Sequence, residues 1–124
     1  MHAPRVLVAD DEKDIRETIG QLLEYEGYLV SLAGDGVDAL RLAREQHPDL
    51  ILLDLMMPRM NGWQFRAAQL EDATVSGIPV VVVSATVPRD SRGFANALLH
   101  KPVSLDDLLD IVRRCTSGAC PGAS

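Results

Sequence analysis

Cysteine is nearly absent. Cys115 and Cys120 are the only two in 124 residues, and the nearest histidine is His100. A structural zinc site takes four nitrogen or sulfur ligands at close spacing, so none is expected. A reducing compartment disfavours a disulfide, and the two thiols are expected to sit free in a frayed tail. Positive charge is also in deficit: 12 basic residues face 18 acidic ones, for a net charge of −6. That balance argues against a phosphate-backbone binder, which needs a basic face. No apolar run approaches the ~20 residues that span a bilayer. Met1-His2-Ala3-Pro4-Arg5 lacks the design of a cleavable leader, so the expected location is the cytoplasm. No internal repeat is visible, which excludes a solenoid. The length leaves no room for a second domain of ordinary size. With 47% hydrophobic and 24% charged residues, the chain is too apolar for disorder.

Short apolar runs alternate with amphipathic stretches. Arg5–Ala9 is an apolar, β-branched run after its arginine, and Leu50–Leu53 and Ile78–Val83 are continuously apolar, as strands covered on both faces should be. Tyr28–Leu32 and Ala97–Leu99 are weaker runs. Ile15, Ile19, Leu22 and Leu23 line one helical face, ending near Gly27. Val37, Leu40 and Ala43 mark a second helix, closed before Pro48. A third is predicted from about Asn61 to Leu70. The last is predicted after Ser104, with Asp107 completing a capping box and Leu105, Leu108, Leu109 and Val112 as the buried stripe. This alternation predicts an α/β fold, a doubly wound, five-stranded parallel sheet with about five helices. Only about a dozen residues separate Ser84 from the last strand, close to the minimum for a crossover. The fourth helix is therefore expected to be short or absent. From Thr116 the residues are small, and 116–124 is expected to be a flexible tail.

Each strand end delivers polar groups: Asp10-Asp11-Glu12 after the first, Asp54 after the third, Ser84 after the fourth, Lys101-Pro102 after the fifth. Open α/β sheets bind ligands beyond the carboxyl ends of their strands, where strand order reverses. With order 2-1-3-4-5 that place lies between strands one and three. Three carboxylates (Asp10, Asp11, Asp54), one hydroxyl and one ammonium then share a cleft. Two carboxylates about 5 Å apart repel by roughly 3 kcal/mol at an effective dielectric near 20. Lys101 supplies one compensating charge, and a hard divalent cation with oxygen ligands, Mg²⁺, would supply the rest. Such a site handles phosphoryl groups.

The segment Asp54-Leu55-Met56-Met57-Pro58-Arg59-Met60-Asn61-Gly62 resembles, nearly residue for residue, the phosphoacceptor segment of response regulator receiver domains of two-component systems. Asp10-Asp11, Ser84-Ala85 and Lys101-Pro102 follow in that family's order. The resemblance covers roughly residues 5–115, the receiver domain of a division into 1–115 and a tail of 116–124. It implies a chemotaxis-type, flavodoxin-like fold with Asp54 as nucleophile, taking a phosphoryl group from a phosphohistidine of a histidine kinase or phosphotransfer protein. Asp11, Asp54 and the backbone carbonyl of Met56 would ligate Mg²⁺ (with Mn²⁺ as a substitute), Asp10 acting mostly through water. Lys101 and Ser84 would bond phosphoryl oxygens, and the Lys101–Pro102 peptide would be cis. The family usually carries Tyr or Phe three residues before the lysine. Leu98 stands there, and with the short segment after Ser84 it implies a rebuilt signalling face and a mobile Thr86–Asn96.

Rival readings fit less well. A phosphatase using an aspartyl phosphate wants an acid two residues after the nucleophile, where this chain has Met56. An FMN carrier's phosphate would be repelled by Asp10-Asp11-Glu12. A closer alternative is a receiver acting as a phosphorylation-independent scaffold. The reading favoured is a stand-alone phosphoacceptor that is not a turnover enzyme. It would switch contacts with a downstream protein target, with no nucleic-acid or membrane partner. Asp11 is expected to cap the first helix, His100 to be structural or solvent-facing, and Trp63 to pack at the start of the third helix.

Overall fold

The computed structural model describes residues 3–86 and 93–122. Along the chain run β1 (Arg5–Ala9), α1 (Lys13–Tyr25), β2 (Leu29–Ala33), α2 (Gly36–Gln46) and β3 (Leu50–Leu53). They are followed by α3 (Gly62–Glu71), β4 (Val80–Ser84), β5 (Ala97–His100) and α4 (Leu105–Thr116). The five strands form one parallel sheet in the order β2-β1-β3-β4-β5. Among the described residues there are four helices, and none lies between β4 and β5. The segment expected to be mobile falls largely, at 87–92, outside the described residues. Its far end is held: the Arg66 Nε–H donates to the Phe94 carbonyl at 2.9 Å, and the Val80 N–H donates to Asn96 Oδ1 at 2.9 Å.

The continuous apolar strands are explained by what covers them. Side chains alternate faces along a strand. Leu7, Ala9, Ile51, Leu53, Val80 and Val82 point into a core shared with α2 and α3. Val6, Val8, Leu50, Leu52, Val81 and Val83 point into a second core with α1 and α4. β2 lies at the edge and has only one strand neighbour, so Leu29 and Leu32 remain exposed. That accounts for its weaker pattern. Phe65 and Leu23, both fully buried, anchor the two cores, and truncating either to Ala should cost about 3–5 kcal/mol.

Local chemistry sets the helix ends, in places differently from expectation. The reciprocal capping box sits at α3, where Asn61 Oδ1 accepts from the Gln64 N–H and Gln64 Oε1 accepts from the Asn61 N–H. At α4, Ser104 accepts from the Asp107 N–H at 3.4 Å, the half of a box that a single hydroxyl provides. The residue capping α1 is Glu12 rather than Asp11, and its side chain makes no capping bond. Trp63 does pack at the start of α3, its ring 4.4 Å from that of Phe94.

The C-terminal expectation of two free thiols is corrected. Cys115 and Cys120 are joined as a disulfide, and Thr116 still belongs to α4. Cys115 is buried against the α1/α4 core, so a partner five residues on is drawn back onto the same surface. Asn96 Nδ2 then donates to the Pro121 carbonyl at 2.7 Å, tying the segment to the start of β5.

Candidate functional site

The carboxyl ends of β1, β3, β4 and β5 converge on one pocket of polar atoms. Asp10 and Asp54 are each the residue after a strand, held there by backbone ladder bonds. The Asp10 N–H donates to the Ala33 carbonyl at 3.0 Å, and the Asp54 N–H donates to the Ala9 carbonyl at 2.9 Å. Ser84 ends β4, and its carbonyl accepts from the Lys101 N–H at 3.0 Å. Asp10, Asp54 and Ser84 are buried. Lys101 reaches in from one residue beyond β5, and its peptide bond to Pro102 is cis.

Every oxygen of the Asp54 carboxylate has a donor. Oδ1 accepts from the Ser84 hydroxyl at 2.9 Å and from the Met56 N–H at 3.1 Å, while Oδ2 accepts from Lys101 Nζ at 3.0 Å. Lys101 also donates to Asp10 Oδ2 at 2.7 Å and Glu12 Oε1 at 3.2 Å. Asp10 Oδ1 accepts from the Glu12 N–H at 2.9 Å, and the Asp10 carbonyl accepts from Arg16 at 2.7 Å. Close behind, Gly62 lets α3 begin against the acceptor strand. A Cβ there would lie 2.6 Å from the Asp54 carbonyl oxygen.

The electrostatics follow from this crowding. Burial pushes the Asp10 carboxyl above its ordinary value, against hydrogen bonds from Lys101 and the Glu12 amide, and the neighbouring Asp54 charge adds to the push. Burial also opposes the Lys101 charge, but hydrogen bonds to Asp10 and Asp54 outweigh it and raise the ammonium above its usual value. One ammonium faces four carboxylates, since Asp10, Asp11, Glu12 and Asp54 bring oxygen atoms within 4.8 Å of one another. Two of the four are buried and two lie at the exposed lip. An all-oxygen donor set with excess negative charge and an open side fits a hard dication that keeps part of its water shell.

All the side chains singled out in the sequence meet here: Asp10, Asp11, Asp54, Ser84 and Lys101. Met56 stands at the same rim with its side chain exposed. Sequence reasoning missed Glu12 as a member. Its position as the N-cap of α1, with no side-chain capping bond, leaves the carboxylate free to meet Lys101.

The sequence profile of the response regulator receiver domain matches residues 6–113. The chain belongs to the response regulator receiver family. A curated relative, response regulator MprA of Mycobacterium leprae, is 37% identical over 114 residues, 88% of this chain and 49% of that protein. This receiver domain thus spans about half the length of the curated relatives it matches. Among solved structures, the receiver domain of the Francisella response regulator 1452 is 31% identical with a TM-score of 0.83, covering 93% of this chain and 98% of that one. The receiver domain of the sensor histidine kinase PA1611 of Pseudomonas aeruginosa is 25% identical with a TM-score of 0.84, over 93% of this chain and 98% of that one. Its structure carries a magnesium ion coordinated in the active-site cleft. Receiver domains bind Mg²⁺ at an acidic site, and the cluster of Asp10, Asp11, Glu12 and Asp54 is of that kind.

Proposed function

We propose that Asp54 is the phosphoacceptor of a Mg²⁺-dependent switch, receiving its phosphoryl group from a phosphohistidine on a histidine kinase or phosphotransfer protein. The observation that carries this reading is the buried Asp54 carboxylate, bonded on one oxygen by Ser84 and on the other by Lys101. An Asp54 oxygen attacks phosphorus, the P–N bond breaks, and its electron pair leaves with the imidazole nitrogen, which takes up a proton. The product is an acyl phosphate. Lys101 and Ser84, which bond the Asp54 carboxylate, would bond the phosphoryl oxygens that arrive there, as an ammonium and a hydroxyl do in transfers of this type. Asp10, Asp11, Asp54 and the Met56 carbonyl would hold the cation, whose charge neutralises the phosphoryl oxygens when it is bound.

Output is an altered contact with a protein target, driven by a local change of charge at Asp54 that biases the loop after Ser84. An acceptor of this kind catalyses its own phosphorylation and dephosphorylation at Asp54 and is not a turnover enzyme. A groove of about 540 Å³ opens beside Lys101, lined by Ile15, Ile19, Val103 and Leu105, and gives a protein donor an apolar landing beside the acceptor. No helix of the described residues is long and apolar enough to cross a membrane, and the acidic balance suits a cytoplasmic protein whose partners are proteins.

Incubation with acetyl phosphate and Mg²⁺, read by intact mass, tests the reading. The wild type should gain a phosphate-sized mass, Asp54→Asn should not, and EDTA should abolish the gain. No gain in the wild type refutes the assignment and favours a scaffold.

A further inference from the structure

We propose that Asp35 and Arg59 form a clamp that positions the loop between β3 and α3, so that both are positioning residues for cation binding at the phosphoacceptor site. This rests on the reading of Asp54 and the Met56 carbonyl given above. The loop runs from Asp54 to Asn61, and its two ends are fixed by the ladder bond of Asp54 and by the Gly62 N–H donating to the Leu55 carbonyl at 2.9 Å. Its middle lies beside no strand, so its shape must be held by other contacts.

Those contacts come from the start of α2. Asp35 is the N-cap of that helix and is buried. Its two carboxylate oxygens do separate jobs. Oδ1 accepts from the Asp38 N–H at 2.8 Å, while Oδ2 accepts from Arg59 Nε at 3.0 Å and from a second guanidinium nitrogen. The Asp38 amide first, and the Arg59 guanidinium next, hold the Asp35 carboxyl below the ordinary carboxylate range. One residue on, the Gly36 N–H donates to the Met60 carbonyl at 2.9 Å. The approach is so close that a Cβ on Gly36 would lie 2.2 Å from that oxygen.

The loop backbone shows why a clamp is needed. Arg59 adopts a φ of 64°, in the left-handed region that a residue with a Cβ disfavours. Such a conformation persists only where the surroundings over-determine it, and it clusters at functional sites. Here it turns the chain three residues beyond Met56. The Arg59 side chain is 73% exposed, so water screens the pair and its net contribution to stability is small. What the pair provides is geometry: a planar guanidinium on a buried, immobile acceptor fixes where the loop bends. Neither residue touches the acidic cluster, so each acts through the backbone that carries Met56.

The test is Mg²⁺ titration calorimetry on the full chain, beside amide exchange of residues 55–60 in metal-free buffer. Arg59→Ala should weaken Mg²⁺ affinity by about tenfold or more, the range seen when supports of metal ligands are removed. Arg59→Lys should recover part of the loss, because an ammonium reaches the same oxygen without the planar fork. Asp35→Asn should weaken Mg²⁺ binding while leaving the thermal midpoint near wild type, since asparagine caps a helix as well as aspartate. The double variant should be no worse than Arg59→Ala alone. Exchange at residues 55–60 should quicken in Arg59→Ala. Mg²⁺ affinity in Arg59→Ala equal to wild type overturns the clamp. A wild type that takes up neither Mg²⁺ nor phosphate overturns the proposed function instead. The clamp is then decided by exchange alone, and unchanged exchange in Arg59→Ala rejects it.

Discussion

Replacing Lys101 with Met keeps most of the unbranched side chain and removes its charge. The side chain is 10% exposed, and the Asp10 and Asp54 side chains it bridges are each 4% exposed. With oxygen atoms within 4.8 Å of each other, those two carboxylates repel by about 3.5 kcal/mol at an effective dielectric of 20. In the variant only neutral donors, the Ser84 hydroxyl and the Met56 and Glu12 amides, still bond these carboxylates. Breaking a buried pair by removing one partner costs about 3–5 kcal/mol, and the same range is expected here. Against a total stability of about 5–15 kcal/mol the loss is large. It should appear as a fall of roughly 10–20 °C in melting temperature in EDTA. Two conditions should restore part of it. Lowering the pH stabilises the variant, because a buried Asp whose carboxyl is raised in the folded state favours the protonated form. Its destabilisation therefore grows as pH rises through that raised value. Saturating Mg²⁺ should raise the melting temperature of the variant more than that of the wild type, since four carboxylates then face the dication with no competing ammonium. Thermal scans of both proteins, with EDTA and with Mg²⁺, decide the matter. A variant melting within a few degrees of wild type in EDTA, or a larger Mg²⁺ gain in the wild type, refutes this account of the pocket.

Other consequences are simpler to test. Gly62→Ala puts a methyl 2.6 Å from the Asp54 carbonyl oxygen and 2.7 Å from Leu55 Cα, both backbone, so the loop must shift. A loss of about 1–3 kcal/mol in urea unfolding is expected, with slower phosphate uptake. Asp72 should shape the acid limb of stability. Its carboxyl, bonded first by Thr74 and then by Arg44, is lowered to about 2 from 3.8. A depressed folded value means that its contribution is present above about pH 4 and disappears as pH falls toward 2. Unfolding of Asp72→Asn should accordingly depend less on pH across that window.

The strands and the site were legible in the sequence for one reason: burial on both faces leaves Leu50–Leu53 and Val80–Val83 no polar positions, and the polar residue that follows each apolar run is then conspicuous. Asp54, Ser84 and Lys101 could be read because topology, not side-chain detail, brings them together. The parts that escaped depend on direction rather than on composition. Glu12 looks like a helix-start residue, and only the bend after Asp10 turns its carboxylate toward Lys101. Asn61 and Gln64 make a capping box whose second member is an amide in the middle of an unremarkable segment. Cys115 and Cys120 join because α4 buries one of them and the chain folds back, a reversal that small residues do not announce. Arg66 is a further case. A charged residue in a helix reads as solvent-facing, yet it is buried, donates to the Phe94 carbonyl and to Gln69, and ties α3 to the residues just before β5.

The strap formed by the Cys115–Cys120 bond and the Asn96–Pro121 contact has a practical corollary. It lies at the amino ends of β4 and β5, whereas Asp54, Ser84 and Lys101 lie at the carboxyl ends, about 15 Å away along strands of this length. A fluorophore or fusion attached after Gly122 would therefore start from the pole opposite the chemistry. It could report on occupancy of Asp54 only through the packing between, which makes that end a quiet handle for immobilising the protein and a poor one for sensing its state.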